Sequence, residues 1–260
     1  MYERIESCPV CNHSKLENYL IAQDHSFSKE SFAIMRCTKC SHLFTNPRPV
    51  HSEIGKYYES ADYISHTSKS SGIITPLYNI AKTYTLRWKK NLIRRFHHSG
   101  SLLDYGCGTG DFLSVMSKDR SWGTIGIEPS DKARAVSKSK SLQVHSQLNK
   151  DNKSKVDVIT AWHVLEHVHD LKDTLKLLRK RTHDKSIMFI AVPNPESYDA
   201  QVYQENWAGY DVPRHLHHFT QRSFETLLSK TKLQLVDKVP MILDAFYVSI
   251  LSSKYQHKSM

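Results

Sequence analysis

The sequence contains few glycines and few cysteines, and several residues of each type lie close together in short motifs. Only nine of the 260 residues are glycine and only five are cysteine. No apolar run approaches the length of a membrane span, and no basic-then-apolar leader is present. These absences favour a cytoplasmic protein without integral membrane association. The net charge of +10 comes from scattered residues, so it permits an anionic partner without requiring nucleic acid.

Three glycines lie at alternate positions, at Gly106, Gly108 and Gly110. They follow a short apolar run that contains Asp104, and an amphipathic segment begins directly after them. This order predicts a buried parallel strand, a tight loop and a helix N-terminus, which bring backbone N–H groups close to a ligand. The dinucleotide-binding pattern G-x-G-x-x-G would need glycine at position 111, where Asp111 stands, so the loop does not match that class.

Two further strand-like runs follow the glycine loop. The first ends in Glu128, 18 residues beyond Gly110. An acidic side chain at such a strand end can accept hydrogen bonds from both hydroxyls of a ribose. The second run, at 156–160, leads into a turn that contains Trp162 and His163.

In their order and spacing these segments resemble the motifs of class I S-adenosylmethionine-dependent methyltransferases. The resemblance implies a Rossmann-like, doubly wound, mostly parallel α/β sheet with S-adenosylmethionine as cofactor. Gln147 is the weakest match, because the family often has an acidic residue after its third strand. The residues that the resemblance places at the cofactor are Asp104, Gly106, Cys107, Gly108, Gly110, Glu128, Pro129, Gln147, Trp162 and His163.

The alternation of strand-like and helical segments supports a parallel sheet flanked by helices. The predicted strands are 101–105, 124–128, 141–145, 156–160 and 186–192, and the predicted helices are 110–118, 130–138 and 170–181. Thr220 is the expected N-cap of a helix over 221–230, and a strand is expected at 234–239. The run 246–251 fits either the family's seventh strand or a terminal helix.

Four of the five cysteines form two C-x-x-C pairs, Cys8 with Cys11 and Cys37 with Cys40. Two such pairs complete a tetrahedral shell of four thiolates, which predicts a structural zinc ribbon. Iron in a rubredoxin-like site is the alternative metal. Because the shell is full, we expect His13 and His42 to be surface residues.

The predicted domains are a zinc-ribbon module at 1–48, a helical linker or lid at 49–99 and a methyltransferase domain at 100–260. The polar run 65–72 is the candidate lid. A helix over 76–96 should bury one apolar face, and its other face is basic. The residues expected on the apolar face are Leu77, Ile80, Tyr84, Trp88, Leu92 and Phe96.

Aromatic, Arg and His side chains are concentrated at 207–220. This stretch resembles the P-R-H-x-x-x-F-[ST] segment of a bacterial subgroup of these enzymes, many of which carry the same cysteine pairs. Histidine exchanges protons near neutral pH, so His215 is the candidate general base, with His218 as the second candidate.

The predicted function is methylation of a small molecule, most simply at oxygen. The chain lacks the Asn/Asp-Pro-Pro-Phe/Tyr motif of amino-group methylation and the cysteine nucleophile of C5-pyrimidine enzymes. Two alternatives remain open. One is an rRNA or tRNA methyltransferase that uses the ribbon and the basic helix to bind RNA, and the other is a non-catalytic zinc-ribbon adaptor.

Overall fold

The structure, a computed structural model, describes residues 1–58, 74–149 and 154–259. The candidate lid at 65–72 lies outside these residues. The chain divides into two compact units. The ribbon unit comprises Met1–Ser68, Leu165–Thr174 and Val192–Met260, and the sheet unit comprises Lys69–Val164 and Leu175–Ala191. The predicted boundaries at 48 and 99 do not coincide with this division.

The strands of the described residues fall into three sheets. They are β1 (Tyr2–Glu3), β2 (Leu16–Gln23), β3 (Ser31–Cys37), β4 (Leu43–Thr45), β5 (Arg48–Pro49), β6 (Gly100–Tyr105), β7 (Trp122–Ile127), β8 (Val144–His145), β9 (Val156–Trp162), β10 (Thr182–Ala191) and β11 (His217–His218).

The α-helices in the same part of the chain range from six to 21 residues. They are α1 (Ile74–Arg94), α2 (Asp111–Ser117), α3 (Asp131–Ser139), α4 (Leu171–Arg179), α5 (Tyr198–Tyr203), α6 (Gln221–Lys230) and α7 (Ile242–Ser259).

The sheet unit contains a five-stranded sheet in the order β10-β9-β6-β7-β8. All of its strand pairs are parallel, which confirms the predicted parallel α/β sheet with flanking helices. Its central strands are buried on both faces: Leu102, Leu103 and Val158 are at most 1% exposed. Because parallel strands end at one edge, the segments after β6, β7 and β9 meet there.

The ribbon unit contains an antiparallel sheet in the order β11-β4-β3-β2. In it β11, from the histidine-rich segment, pairs with β4, from the cysteine module, with His217 opposite Phe44 and His218 opposite Leu43. The buried cluster of this unit also joins both parts of the chain, since Phe32 and Ile34 pack with Trp207 and Tyr210. The first 48 residues are therefore half of a core that the carboxyl-terminal part completes.

Arg214 lies at the centre of the ribbon unit, with 1% of its surface exposed. Its Nη2 donates to Asp24 Oδ1 at 2.9 Å and to Asp211 Oδ1 at 2.6 Å, and its Nη1 donates to the Tyr57 carbonyl at 3.1 Å. Burial alone would raise the pKa of both carboxyl groups, but the guanidinium holds each pKa below its ordinary value. Both carboxylates therefore stay ionised, and the arginine joins the β2–β3 loop to the histidine segment.

Three sequence expectations for the carboxyl-terminal region have different outcomes. No strand forms at 234–239, where Val236 is 71% exposed. β-propensity reflects packing against neighbouring strands, and this run has none among the described residues. Residues 246–251 lie inside α7, so of the two predicted alternatives the terminal helix is the one observed. The helix over 221–230 is present as predicted, with Thr220 accepting from the Ser223 N–H.

The helix predicted over 76–96 is present as α1, but only part of its expected apolar face is buried. Leu92 is 8% exposed and packs in the core together with Trp88 and Phe96. Ile80 and Tyr84 are 66% and 61% exposed, so these two positions of the expected apolar face are not buried. No helix of the described residues is both long and apolar enough to cross a membrane.

We predict that Arg214→Met destabilises the protein by about 3–5 kcal/mol, because the change leaves the buried Asp24 and the partly buried Asp211 carboxylates without their cation. The measurement is denaturant unfolding at neutral pH. A carboxylate whose pKa is lowered by folding contributes stability that is lost as the pH falls through the lowered value. The difference between wild type and variant should therefore narrow in acid.

The matched control is Arg36→Met, which removes an exposed ion pair with Glu17 at 2.6 Å. Exposed pairs contribute about 0.2–1 kcal/mol, so this variant should unfold close to wild type. Equal effects from the two substitutions would contradict a central role for Arg214.

Candidate functional site

The glycine loop connects β6 to α2, and its backbone conformation fixes its shape. Gly106 and Gly110 have φ values of 74° and 76°, in the left-handed region that favours glycine. A Cβ built at either position would come within 2.5 Å of a side-chain atom. A Cβ built at Gly108 would meet no atom within 4 Å. The loop is thus tightly packed at both ends and open at its middle residue, which allows a ligand to approach the backbone.

Glu128 follows β7, and its carboxylate faces the glycine loop. Its Oε2 accepts from the Gly108 N–H at 2.9 Å, and its Oε1 accepts from the Ser130 N–H at 2.8 Å. A carboxylate offers about four lone-pair positions, so both oxygens can still accept from hydroxyl groups. The side chain is held where a ribose beside Gly108 could be bound.

Asp104 lies near the end of β6 and is 2% exposed. Its Oδ1 accepts from the Thr160 hydroxyl at 2.6 Å. Burial raises the pKa of Asp104 to about 7, although Thr160 and the Lys89 ammonium oppose this shift. The carboxyl group therefore titrates near neutral pH, and a cationic amino group bound beside it would favour its ionised form.

The turn after β9 also packs against the glycine loop, through Val164, the side chain that a Cβ at Gly106 would strike. Trp162 contacts Phe112 of α2 edge-on, with ring centroids 5.6 Å apart. The Lys89 ammonium lies 4.6 Å from the Trp162 ring centroid, a cation–π contact that the sequence did not reveal. His163 has a φ of 57° and donates its N–H to the Ala191 carbonyl.

The remaining predicted cofactor residues differ in their surroundings. Cys107 is 9% exposed, and burial raises the pKa of its thiol to about 12. This thiol is therefore neutral and packs as a small loop residue. Pro129 and Gln147 are exposed. Among the described contacts, no hydrogen bond holds the Gln147 side chain in a position to contact an adenine ring.

Several basic residues of α1 have partners within the sheet unit. Lys82 lies 2.6 Å from Asp111, and Lys90 lies 2.9 Å from Asp119. With Lys89 above Trp162, three cations of the predicted RNA-binding face make contacts inside the unit. These contacts weaken the support for the RNA hypothesis.

The four cysteines of the two pairs come together in the ribbon unit, with all four sulfur atoms within 4.8 Å of one another. The Sγ atoms of Cys8 and Cys40 are 3.5 Å apart, as are those of Cys11 and Cys37. Zn–S bonds of about 2.3 Å in a tetrahedron place sulfur atoms about 3.8 Å apart, so the cluster fits such an ion. Each pair is followed by a residue with positive φ, Asn12 at 62° and Ser41 at 61°, so the two turns have matching backbones.

His215 is 9% exposed and has a defined ring orientation. Its Nδ1 lies 2.9 Å from the Gly209 carbonyl. Because a carbonyl can only accept, Nδ1 carries the proton and the lone pair lies on Nε2. Asp211 Oδ2 is 3.9 Å from this Nε2, so a carboxylate lies close to the ring nitrogen that can accept a proton.

His218, the second predicted base, is 3% exposed. Its Nε2 lies 3.2 Å from the Thr45 hydroxyl, which itself donates to the His215 carbonyl. Burial lowers the pKa of His218 well below its ordinary value. The geometry is that of a neutral histidine that joins β11 to β4 and not that of an exposed base.

His42, predicted to be a surface residue, is fully buried. Its Nε2 lies 3.1 Å from His217 Nδ1, and its Nδ1 lies 3.4 Å from the Ser223 hydroxyl. The prediction was wrong because His217 and Ser223, which contact His42, belong to a segment remote from it in sequence. His13, predicted in the same way, is partly exposed.

Comparisons with known proteins identify the family to which much of this chain is similar. The model of the methyltransferase domain family matches residues 80–238. The ubiquinone biosynthesis O-methyltransferase of Pelagibacter ubique is 32% identical over 149 residues, which cover 48% of this chain and 58% of that protein. This chain therefore spans little more than half the length of that relative.

Two solved structures are similar to part of this chain. A SAM-dependent methyltransferase from Archaeoglobus fulgidus has a TM-score of 0.48 and 18% identity, over 66% of this chain and 86% of that one. The YcgJ protein from Bacillus subtilis has a TM-score of 0.49 and 12% identity, over 66% and 82% of the two chains. The family match covers more than half of the sequence and includes the glycine loop and Glu128, and the chain belongs to the family of S-adenosylmethionine-dependent methyltransferases.

Proposed function

We propose that this protein transfers a methyl group from S-adenosylmethionine to an oxygen atom of a small molecule, with His215 as general base. The observation that carries the proposal is the glycine loop with Glu128 turned toward Gly108. The O-methyltransferase named among the relatives supports oxygen as the attacked atom. The cofactor supplies an activated methyl group, so the protein has mainly to align the acceptor and remove its proton.

The residues of the sheet unit fit the cofactor in distinct ways. Gly108 and its neighbours offer backbone for the methionine part, and Glu128 can hold the ribose. Asp104, ionised, would balance the charge of the amino group. Trp162 and His163, on the turn packed against the loop, would border the methionine side.

His215 is better suited than His218 to take the acceptor's proton. Its Nδ1–H is held by the Gly209 carbonyl, which leaves the lone pair on Nε2. The Asp211 carboxylate near Nε2 would stabilise the imidazolium that forms when the proton is taken. Arg214 keeps Asp211 ionised, so its contribution is to position and charge the carboxylate.

The four cysteines of the ribbon unit are proposed to bind a structural zinc ion. Four thiolates leave no coordination position for water or substrate. The ion would close the β3–β4 turn onto the amino-terminal turn. In this way it would support β4, on which β11 of the histidine segment pairs.

We expect Glu128→Gln to weaken binding of S-adenosylhomocysteine about 10- to 100-fold, since a hydrogen bond to a charged group is worth about 1.5–3 kcal/mol. The amide would also turn a donor toward the Gly108 or Ser130 N–H. Isothermal titration calorimetry is the measurement, and Asp131→Asn, at a side chain 93% exposed, is the control. Equal affinity in wild type and Glu128→Gln would refute the proposed ribose contact.

His215→Gln should lower kcat about 10²- to 10⁴-fold and remove one ionisation from the pH profile of kcat. Isotope-labelled cofactor offered to a panel of hydroxylated small molecules identifies the acceptor first, with RNA as a separate arm. The profile is recorded at saturating cofactor, because the pKa of Asp104 is about 7 in the protein without cofactor. His98→Gln, at an exposed histidine, is the control, and an unchanged profile in His215→Gln would exclude this base.

In Cys40→Ser, we expect a thiol-modifying reagent to release no zinc. We also expect the melting temperature of this variant to be lower than that of wild type. Loss of a structural zinc ion removes binding free energy that stabilises the fold. Cys107→Ser, at the remaining cysteine, should release as much zinc as wild type. Release from wild type of no zinc, or of iron instead, would count against the zinc assignment.

A further inference from the structure

A second group of metal-ligating side chains lies in the ribbon unit, apart from the cysteines. It consists of Glu166, His167 and His215, whose nearest ligand atoms lie within 4.8 Å of one another. Glu166 is fully buried and His215 is 9% exposed. His167 is partly buried. A carboxylate and imidazoles grouped in this way call for a chemical reason, because each polar group costs free energy to remove from water.

The two histidines of the group use the same nitrogen to contact a backbone carbonyl. His167 Nδ1 lies 2.9 Å from the Arg214 carbonyl, and His215 Nδ1 lies 2.9 Å from the Gly209 carbonyl. In both rings Nδ1 is therefore the donor, and Nε2 carries the lone pair. The rings meet edge to face with centroids 4.6 Å apart. Metal-binding histidines commonly use this arrangement, in which one nitrogen donates to a carbonyl and the other binds the ion.

A backbone hydrogen bond joins the two segments that carry these three residues. The Leu216 N–H donates to the Glu166 carbonyl at 2.7 Å, which ties the turn that carries Glu166 and His167 to the residue after His215. The set therefore comes from two segments joined by a backbone hydrogen bond. Ligand atoms around a zinc ion lie about 3.3 Å apart, so small side-chain rotations would close the set on an ion.

We propose that Glu166, His167 and His215 bind a divalent transition-metal ion, of which zinc is the representative. Two imidazoles and one carboxylate form a ligand set used for zinc and for non-haem iron, and it leaves coordination positions open. The cysteine cluster differs from this site in its ligand type and in its open positions. Its four ligands are thiolates, and they leave no coordination position open.

The proposal concerns the ribbon unit alone and goes beyond the proposed methyl transfer. It has one consequence for that function, because Nε2 of His215 cannot hold an ion and accept a proton at the same time. Free metal ions should therefore inhibit methyl transfer through His215. Metal binding can be measured without any acceptor, so failure of one proposal is distinguishable from failure of the other.

The test is a metal count after equilibrium dialysis of the full chain against buffered Zn²⁺, on wild type, Glu166→Gln and His98→Gln. We expect two ions per chain in wild type and in His98→Gln, and one in Glu166→Gln. The ion retained at the cysteines in Glu166→Gln also reports that the ribbon unit is folded. One ion in wild type, or two in Glu166→Gln, overturns the proposal.

Co²⁺ provides a second measurement that needs no variant. Thiolate ligands give sulfur-to-cobalt charge-transfer bands in the near ultraviolet, whereas nitrogen and oxygen ligands do not. We expect the first equivalent of Co²⁺ to produce these bands and the second to add only visible bands. A second equivalent that leaves the spectrum of bound Co²⁺ unchanged counts against the site.

Discussion

Arg214 interacts with Asp24, 190 residues earlier in the chain, and with Asp211, on the turn that carries the histidines. Much of the ribbon unit depends on this buried cation. Its side chain keeps two carboxylates ionised inside the protein, and its backbone carbonyl fixes the ring of His167. A hydrophobic residue could fill the same volume, but it could not hold Asp211 charged beside His215. The arginine of the histidine segment thus contributes to both the stability and the electrostatics of this unit.

In the sheet unit, by contrast, the candidate ligand site consists mainly of backbone. Two side chains contact the middle residue of the glycine loop: the Glu128 carboxylate accepts from the Gly108 N–H, and the Ser137 hydroxyl donates to the Gly108 carbonyl. Lys140 donates to the Thr109 carbonyl and also pairs with Asp111. Each contact holds the loop without occupying its open middle. Such preorganisation suits a cofactor that brings its own reactive group.

Features determined by residues close together in sequence could be predicted, whereas features determined by contacts remote in sequence could not. The parallel sheet, the glycine loop and the position of Glu128 followed from short patterns, because strand, turn and helix signals lie within a few residues of one another. The pairing of β11 with β4 could not be predicted, since no pattern in 217–218 specifies a partner 175 residues away. The burial of His42 and the pairing of Arg214 with Asp24 depend on that contact. At 234–239 the local pattern predicted a strand that does not form, because the run has no neighbouring strand to pair with among the described residues.

The β4–β11 ladder also constrains the order in which the polypeptide can assemble. Thr45 and His218, which are hydrogen-bonded across it, are 173 positions apart, and closing so large a loop carries an entropic cost that sheet contacts recover only afterwards. During synthesis the amino-terminal strands leave the ribosome long before their partner exists. Until residue 218 has emerged, one edge of that early sheet has no neighbour to cover it. The cysteine turns are thus the earliest means of holding the nascent strands in register.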